Sequence, residues 1–129
     1  MYLLDTNIFL EVLLNREYSP VIREILNRDI DTSFFMTDFS LYSIGIFLVR
    51  RKQSEQYTWF LEDLEERDIR IVSLSPDDLK QVPSVCTKYD MDFDDAYQYV
   101  AADQNNLKLV SLDHDFDRIP CGRMHPKDI

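Results

Sequence analysis

Short apolar runs that stop on aspartate or turn residues alternate with stretches of helical periodicity along all 129 residues. No other feature constrains the fold as much, because strands joined through helices lie parallel, with helices covering the sheet. Tyr2-Leu3-Leu4 is a short strand that runs into Asp5. Thr6 or Asn7 is expected to cap the next helix, which carries Ile8, Phe9, Val12 and Leu13 at helical spacing. Ser19-Pro20 reads as a cap residue followed by proline at the first helical position, with Val21, Ile22, Ile25 and Leu26 facing inward. Thr32 to Met36 is a second strand ending at Thr37-Asp38. The helix expected from about Ser40 to Arg51 is apolar on more than one side, so it is central or partly covered by another chain. Gln53 to Asp68 is a cleaner amphipathic helix, and Ile69 to Leu74 a third strand. Ser75-Pro76-Asp77-Asp78 carries a capping-box pattern, with Pro83 expected to kink or end that helix. Asp94-Asp95 opens the next helix, Leu107 to Leu112 is a strand of the buried kind, and the tail adds a short edge strand near Met124. The expected architecture is one α/β domain spanning 1–129, a three-layer α/β/α sandwich around a mostly parallel sheet.

Composition removes several function classes. The two glycines, Gly45 and Gly122, leave no glycine-rich phosphate loop, which excludes P-loop and Rossmann cofactor chemistry. Cys86 and Cys121 form no CxxC pair and lie near no histidine pair, so neither a structural zinc site nor a disulfide framework is expected. No apolar run approaches the roughly 20 residues of a membrane span, and MYLLDTN does not read as a signal peptide. These features lead us to expect a cytoplasmic protein with free thiols and no membrane partner. The formal charge of −10 opposes a broad nucleic-acid surface, which requires Lys and Arg. It is compatible with one pocket that gathers carboxylates around a cation.

Asp5 and Asp113 each follow an apolar strand directly, and ligands of an open parallel sheet bind outside the carboxyl ends of strands, where strand order reverses. Asp95 lies in the first turn of the helix leading to the second of these strands. Carboxylates brought together repel and raise one another's pKa unless a hard divalent ion with oxygen ligands is present. Asp90 to Asp117 holds eight aspartates and one lysine, the natural place for such a site. Each residue also has a plainer role: Asp5 as a helix cap, Asp95 as a carboxylate at a helix dipole, Asp115 and Asp117 as turn or surface residues.

Leu4-Asp5-Thr6-Asn7, then Asp94-Asp95-Ala96, then Leu109-Val110-Ser111-Leu112-Asp113-His114-Asp115-Phe116 resemble, in order and spacing, the PIN domain as found in VapC toxins. The resemblance implies a PIN-like sandwich, a magnesium- or manganese-dependent ribonuclease, a homodimer, and a small antitoxin partner. It casts Asp5, Asp95 and Asp113 as metal ligands, with Asp115 in support. Thr6, Asn7 and Ser111 correspond to residues that hold the ligand shell in shape. One departure stands out. The family places a glutamate about six residues after the Ser or Thr that follows the second strand, and counting from Thr37 this chain has Ser43 there. Asp38 and Glu11 are candidates to supply the missing charge, Asp38 only if the helix starts after it.

Three functions follow as expectations. The first is a metal-dependent endoribonuclease in which water attacks phosphorus in line, leaving 5′-phosphate and 3′-hydroxyl ends. Arg50, Arg51 and Lys52 would form its phosphate-contacting rim; their plainer reading is a solvated helix end favoured by the dipole. The second, motivated by Ser43 and the acidic charge, is a degenerate PIN domain that binds RNA or a protein without cutting. The third is a receiver-like signalling domain, opposed by the absence of a lysine at any strand end.

Overall fold

The computed structural model describes residues 1–28 and 32–129. In chain order these form β1 (Tyr2–Leu4), α1 (Thr6–Leu13), α2 (Ser19–Asn27), β2 (Phe34–Thr37), α3 (Asp38–Arg50), α4 (Ser54–Glu66), β3 (Arg70–Val72), α5 (Pro76–Leu79), α6 (Val82–Tyr89), α7 (Phe93–Gln104) and β4 (Lys108–Val110). Two 3-10 turns close the chain, at His114–Arg118 and Pro126–Asp128. The sheet order is β3-β2-β1-β4, and all three pairings are parallel.

Alternation along the strands builds the layers, since successive side chains point to opposite faces. Leu3 and Leu109 pack with Val82, Ala96, Val100 and Phe116 on one face. Leu4, Phe34, Met36 and Val110 pack with α1 to α4 on the other. Both faces are covered, which is why the strands read as continuous apolar runs.

Topology positions the site. The chain moves outward from β1 through β2 to β3 and then returns to β4 on the other side of β1, so strand order reverses between β1 and β4. Their carboxyl ends open the crevice where such sheets bind ligands. Helices α1 and α3 begin at that edge because they follow β1 and β2 directly. Only Asn105, Asn106 and Leu107 separate α7 from β4, so α7 ends at the amino edge of the sheet. Its 12 residues span about 18 Å, which returns its first turn to the carboxyl edge. The crossover itself therefore delivers Asp95 to the crevice.

Several local expectations need correction. Asp5, not Thr6 or Asn7, caps α1: its side chain accepts from the Thr6 amide. Ser19 is the first residue of α2, fully buried, and its hydroxyl accepts from Arg23 Nε, while Tyr18 holds the cap position without a side-chain bond. Helix α3 starts at Asp38, two residues early, because Thr37 accepts from the Ser40 amide and so caps it. Pro83 neither kinks nor ends a helix. The Ser75 capping box opens the four-residue α5, and Pro83 lies in the first turn of a separate α6, where its missing amide is harmless. The tail contributes a single parallel bridge, Val110 to Met124, at the outer edge of β4. With so few glycines, the left-handed residues after helices are Asn15, Lys52, Asp68, Asp90 and Asn106, with φ between 50 and 58°.

Candidate metal centre

At the end of β1, Asp5 is only 6 % exposed. Its Oδ1 accepts the Thr6 amide at 2.7 Å, and its Oδ2 accepts both Asn7 Nδ2 and the Ser111 hydroxyl, each at 2.7 Å. Ser111 Oγ accepts in turn from Asn7 Nδ2 at 2.9 Å and from the Asp113 amide at 3.0 Å, while Asn7 Oδ1 accepts the Leu112 amide at 3.2 Å. These bonds tie the start of α1 to the end of β4 and fix the Asp5 rotamer. Capping and lining the crevice are thus one conformation, not competing roles.

Three carboxylates converge beside this brace. Asp95, Asp113 and Asp115 each offer an oxygen, all within 4.8 Å of one another. Opposite oxygens of a magnesium shell lie about 4.2 Å apart at ligand distances near 2.1 Å, so small side-chain rotations suffice to close this set on such an ion. Asp113 Oδ1 accepts the Asp115 amide at 2.9 Å, capping the 3-10 turn that brings Asp115 back toward Asp95. Asp92 and Asp94 group with Asp95 as well, but both are exposed in the first turn of α7 and its cap, where a helix dipole favours acids.

Electrostatics follow from this crowding. Burial pushes the Asp95 carboxyl up to about 7, assisted by the negative charges of Asp94, Asp113, Asp5 and Asp115. Burial likewise raises Asp5 to about 6, against the opposing hydrogen bonds from Ser111 and Thr6. Such carboxyls have pKa values that a bound divalent cation would lower. All the donors are hard oxygens, the chemistry that suits magnesium or manganese.

The remaining expected residues divide. Thr6 supports Asp5 through its amide, but its hydroxyl bonds Ser40 Oγ at 2.7 Å, in a buried group with Thr37 and Gln98. Asp38 does not join the cluster: its Oδ1 accepts the Phe39 amide and, at 2.6 Å, the Tyr97 hydroxyl, because α3 starts on it. Glu11 is buried and accepts the Tyr18 amide at 3.0 Å, so it serves the entry to α2. Ser43 is half-buried on α3, one position before the core residue Ile44. Arg50 and Arg51 lie at the far end of α3, about 18 Å along the helix from the crevice. Arg51 leans on the Phe47 ring, and Lys52 is the left-handed residue that stops the helix.

Other groups at the crevice carry little signal in the sequence. Arg118 pairs with Asp115 at 3.1 Å, and Arg123 donates to the Ser111 carbonyl and pairs with Asp117. Gln98 is almost fully buried three residues after Asp95, and its Oε1 has no partner among the described residues. Its position one turn below Asp95 was readable; its polar surroundings, drawn from α1 and α3, were not.

Comparison with known proteins agrees with the fold. The PIN domain model matches residues 2–120, and the chain belongs to the PIN domain family. No curated protein sequence matches it closely enough to count as a relative. Among solved structures, a toxin–antitoxin complex from Klebsiella pneumoniae superposes with TM-score 0.77 at 19 % identity, each chain covered in full. VapBC2 from Rickettsia felis, bound to a DNA fragment from its promoter, gives 0.74 at 19 % over 95 % of both chains. VapC20 from Mycobacterium tuberculosis, a toxin that cleaves the sarcin–ricin loop, gives 0.72 at 13 % over 96 % of this chain and 97 % of that one. At these identities the likeness is one of fold.

Proposed function

We propose that this chain is a divalent-metal-dependent endoribonuclease acting as the toxin of a toxin–antitoxin pair in the cytoplasm. The observation that carries the reading is the convergence of Asp95, Asp113 and Asp115 beside the buried Asp5 at the switch point of the sheet. Asp95 and Asp113 would hold magnesium or manganese, with Asp115 completing the set and Asp5 lending charge from the floor. A bound ion supplies the positive charge that polarises a phosphodiester and makes a neighbouring water more acidic. The chain's own part is orientation. Ser111 and Asn7 fix Asp5, and Asp113 is set by the Asp115 amide. Membership of the family, and folds shared with toxin–antitoxin complexes, favour RNA as substrate and a small antitoxin as partner. Among the described residues no helix is long and apolar enough to cross a membrane.

The test is cleavage of structured and unstructured RNA with manganese. Wild type is expected to leave 5′-phosphate ends, and Asp95→Asn to lower the rate about a hundredfold or more, since even outer-shell changes reach that size. Undiminished cleavage by Asp95→Asn removes the proposal. Ser43 supports a second reading, a domain that binds RNA or a protein without cutting, because it leaves the site one carboxylate short of the family pattern. Cleavage by the wild type separates the two readings, and Ser43→Glu tests the position itself: tighter manganese binding and faster cleavage place position 43 at the site. A folded variant with unchanged affinity places it outside.

A further inference from the structure

On the β2 side of the crevice, away from Asp113 and Asp115, three aromatic rings form a wall. Tyr97 is its fixed inner member: its hydroxyl donates to Asp38 Oδ1 at 2.6 Å and accepts the Leu74 amide at 3.1 Å. Phe39 packs on it with ring centres 5.4 Å apart, and Phe93 closes the group at 6.2 Å from Phe39 and 6.3 Å from Tyr97. The inner two are buried or half-buried, whereas Phe93 keeps 51 % of its surface in water. Phe93 is the first residue of α7, two before Asp95, with Asp92 and Asp94 on either side of it in sequence. Phe93 thus presents a half-exposed aromatic ring, packed against Phe39 and Tyr97, in the first turn of the helix that carries Asp95.

The surrounding charges restrict what can lie on it. Exposed Asp92 and Asp94 repel a phosphate, and across the crevice Arg118 and Arg123 are already paired with Asp115 and Asp117. Arg50 and Arg51 lie at the other end of α3. An RNA strand entering this site therefore has little free positive charge to grip it near the carboxylates. Stacking needs none, because every base offers an uncharged π-face to an aromatic ring, and only an unpaired base can reach one. We propose that Phe93 is a stacking subsite for an unpaired base of single-stranded RNA, adjacent to the phosphodiester at Asp95, Asp113 and Asp115. This rests on the nuclease reading and adds to it a residue that would hold the substrate beside the carboxylates.

The experiment follows the fluorescence of single-stranded RNA oligonucleotides carrying 2-aminopurine, whose emission falls when it stacks, with calcium as the ion because it accepts the same oxygen ligands in looser geometry. Wild type is expected to quench single strands and not duplexes. Phe93→Ala is expected to lose the quench and bind roughly tenfold more weakly, and Phe93→Trp to keep both. If Phe93→Ala melts early, Phe93→Leu preserves the apolar packing without the aromatic face and is expected to lose the quench as well. Equal quenching by wild type and the Ala and Leu variants overturns the subsite. So does a Phe93→Ala variant that changes self-association while binding RNA normally, which would assign the ring to a protein contact. A wild-type chain that cleaves RNA but never quenches sinks the subsite and leaves the nuclease standing. One that quenches without cleaving any RNA keeps the subsite and sinks the nuclease.

Discussion

Asp5 and Asp95 hold raised pKa values for the same dominant reason, burial, and the negative charges of Asp94 and Asp113 add to both shifts. The direction of the resulting pH dependence is set. Their ordinary value is 3.8, and in the folded chain they rise to about 6 and about 7. Between these limits the folded chain holds more protons than the unfolded one, so metal-free stability falls as pH climbs through that window and levels off above it. Melting curves in chelator, from pH 5 to pH 8, should show wild type losing ground steadily against Asp95→Asn. Manganese at pH 8 should raise the wild-type melting temperature by mass action and the variant's much less. A wild-type-to-variant difference that stays flat with pH, or no thermal shift with the ion, contradicts the crowded-carboxylate account. At this scale the sequence showed the strand-ending acids, because an apolar run that stops on Asp is visible in one line of text. It did not show that Asp38 faces Tyr97 or that Glu11 faces Tyr18, since each partner comes from another element.

Helix α3 shows how local rules and tertiary packing divide the control of an element. The Thr37 cap and the left-handed Lys52 set its ends, but Gly45 is fixed by its neighbour α4. A Cβ at position 45 would meet the Tyr57 ring at 2.8 Å, and that ring is held by its bond to the Leu41 carbonyl and by Phe60. Gly45→Ala gains about 1 kcal/mol of helix propensity and loses about 1–3 to overpacking, so a net loss of about 1 kcal/mol is expected in urea unfolding. Lys52→Gly, seven residues on, should act oppositely. It relieves a side chain at φ 58° and is expected to stabilise by about 1 kcal/mol, reduced by the added freedom of the unfolded chain. A stabilised Gly45→Ala would mean Tyr57 swings aside freely. Periodicity carried the order and type of most elements; the exceptions are α6, a separate helix where one helix from Ser75 was expected, and the ends of the others. Strand β4 is half the length its apolar run suggested because pairing stops at Val110, where the chain turns into the site.

For the molecule as a whole, the two core layers account for the buried apolar residues but leave a stripe on α3 in water. Tyr42, Ile46 and Val49 recur at i, i+4 and i+7, are exposed by 63, 54 and 53 %, and Trp59 of α4 is 56 % exposed. The sequence reading of this helix as apolar on more than one side corresponds to the stripe, because Ile44 and Leu48 fill the core from its other face. A continuous apolar stripe on a surface helix is costly to leave wet, and a second copy of the chain offers the same stripe for self-complementary packing. The −10 charge opposes association at long range, so the contact should tighten with salt as the repulsion is screened. Sedimentation equilibrium is expected to show a dimer at concentrations on the order of tens of micromolar. Ile46→Lys should weaken it by about tenfold or more, since it places a like charge in each half of an isologous contact. Position 46 is exposed in the single chain, so the variant's melting temperature, measured where both proteins are monomeric, should stay close to that of wild type. A wild-type monomer at high salt and at these concentrations would show that the stripe is not a self-association surface.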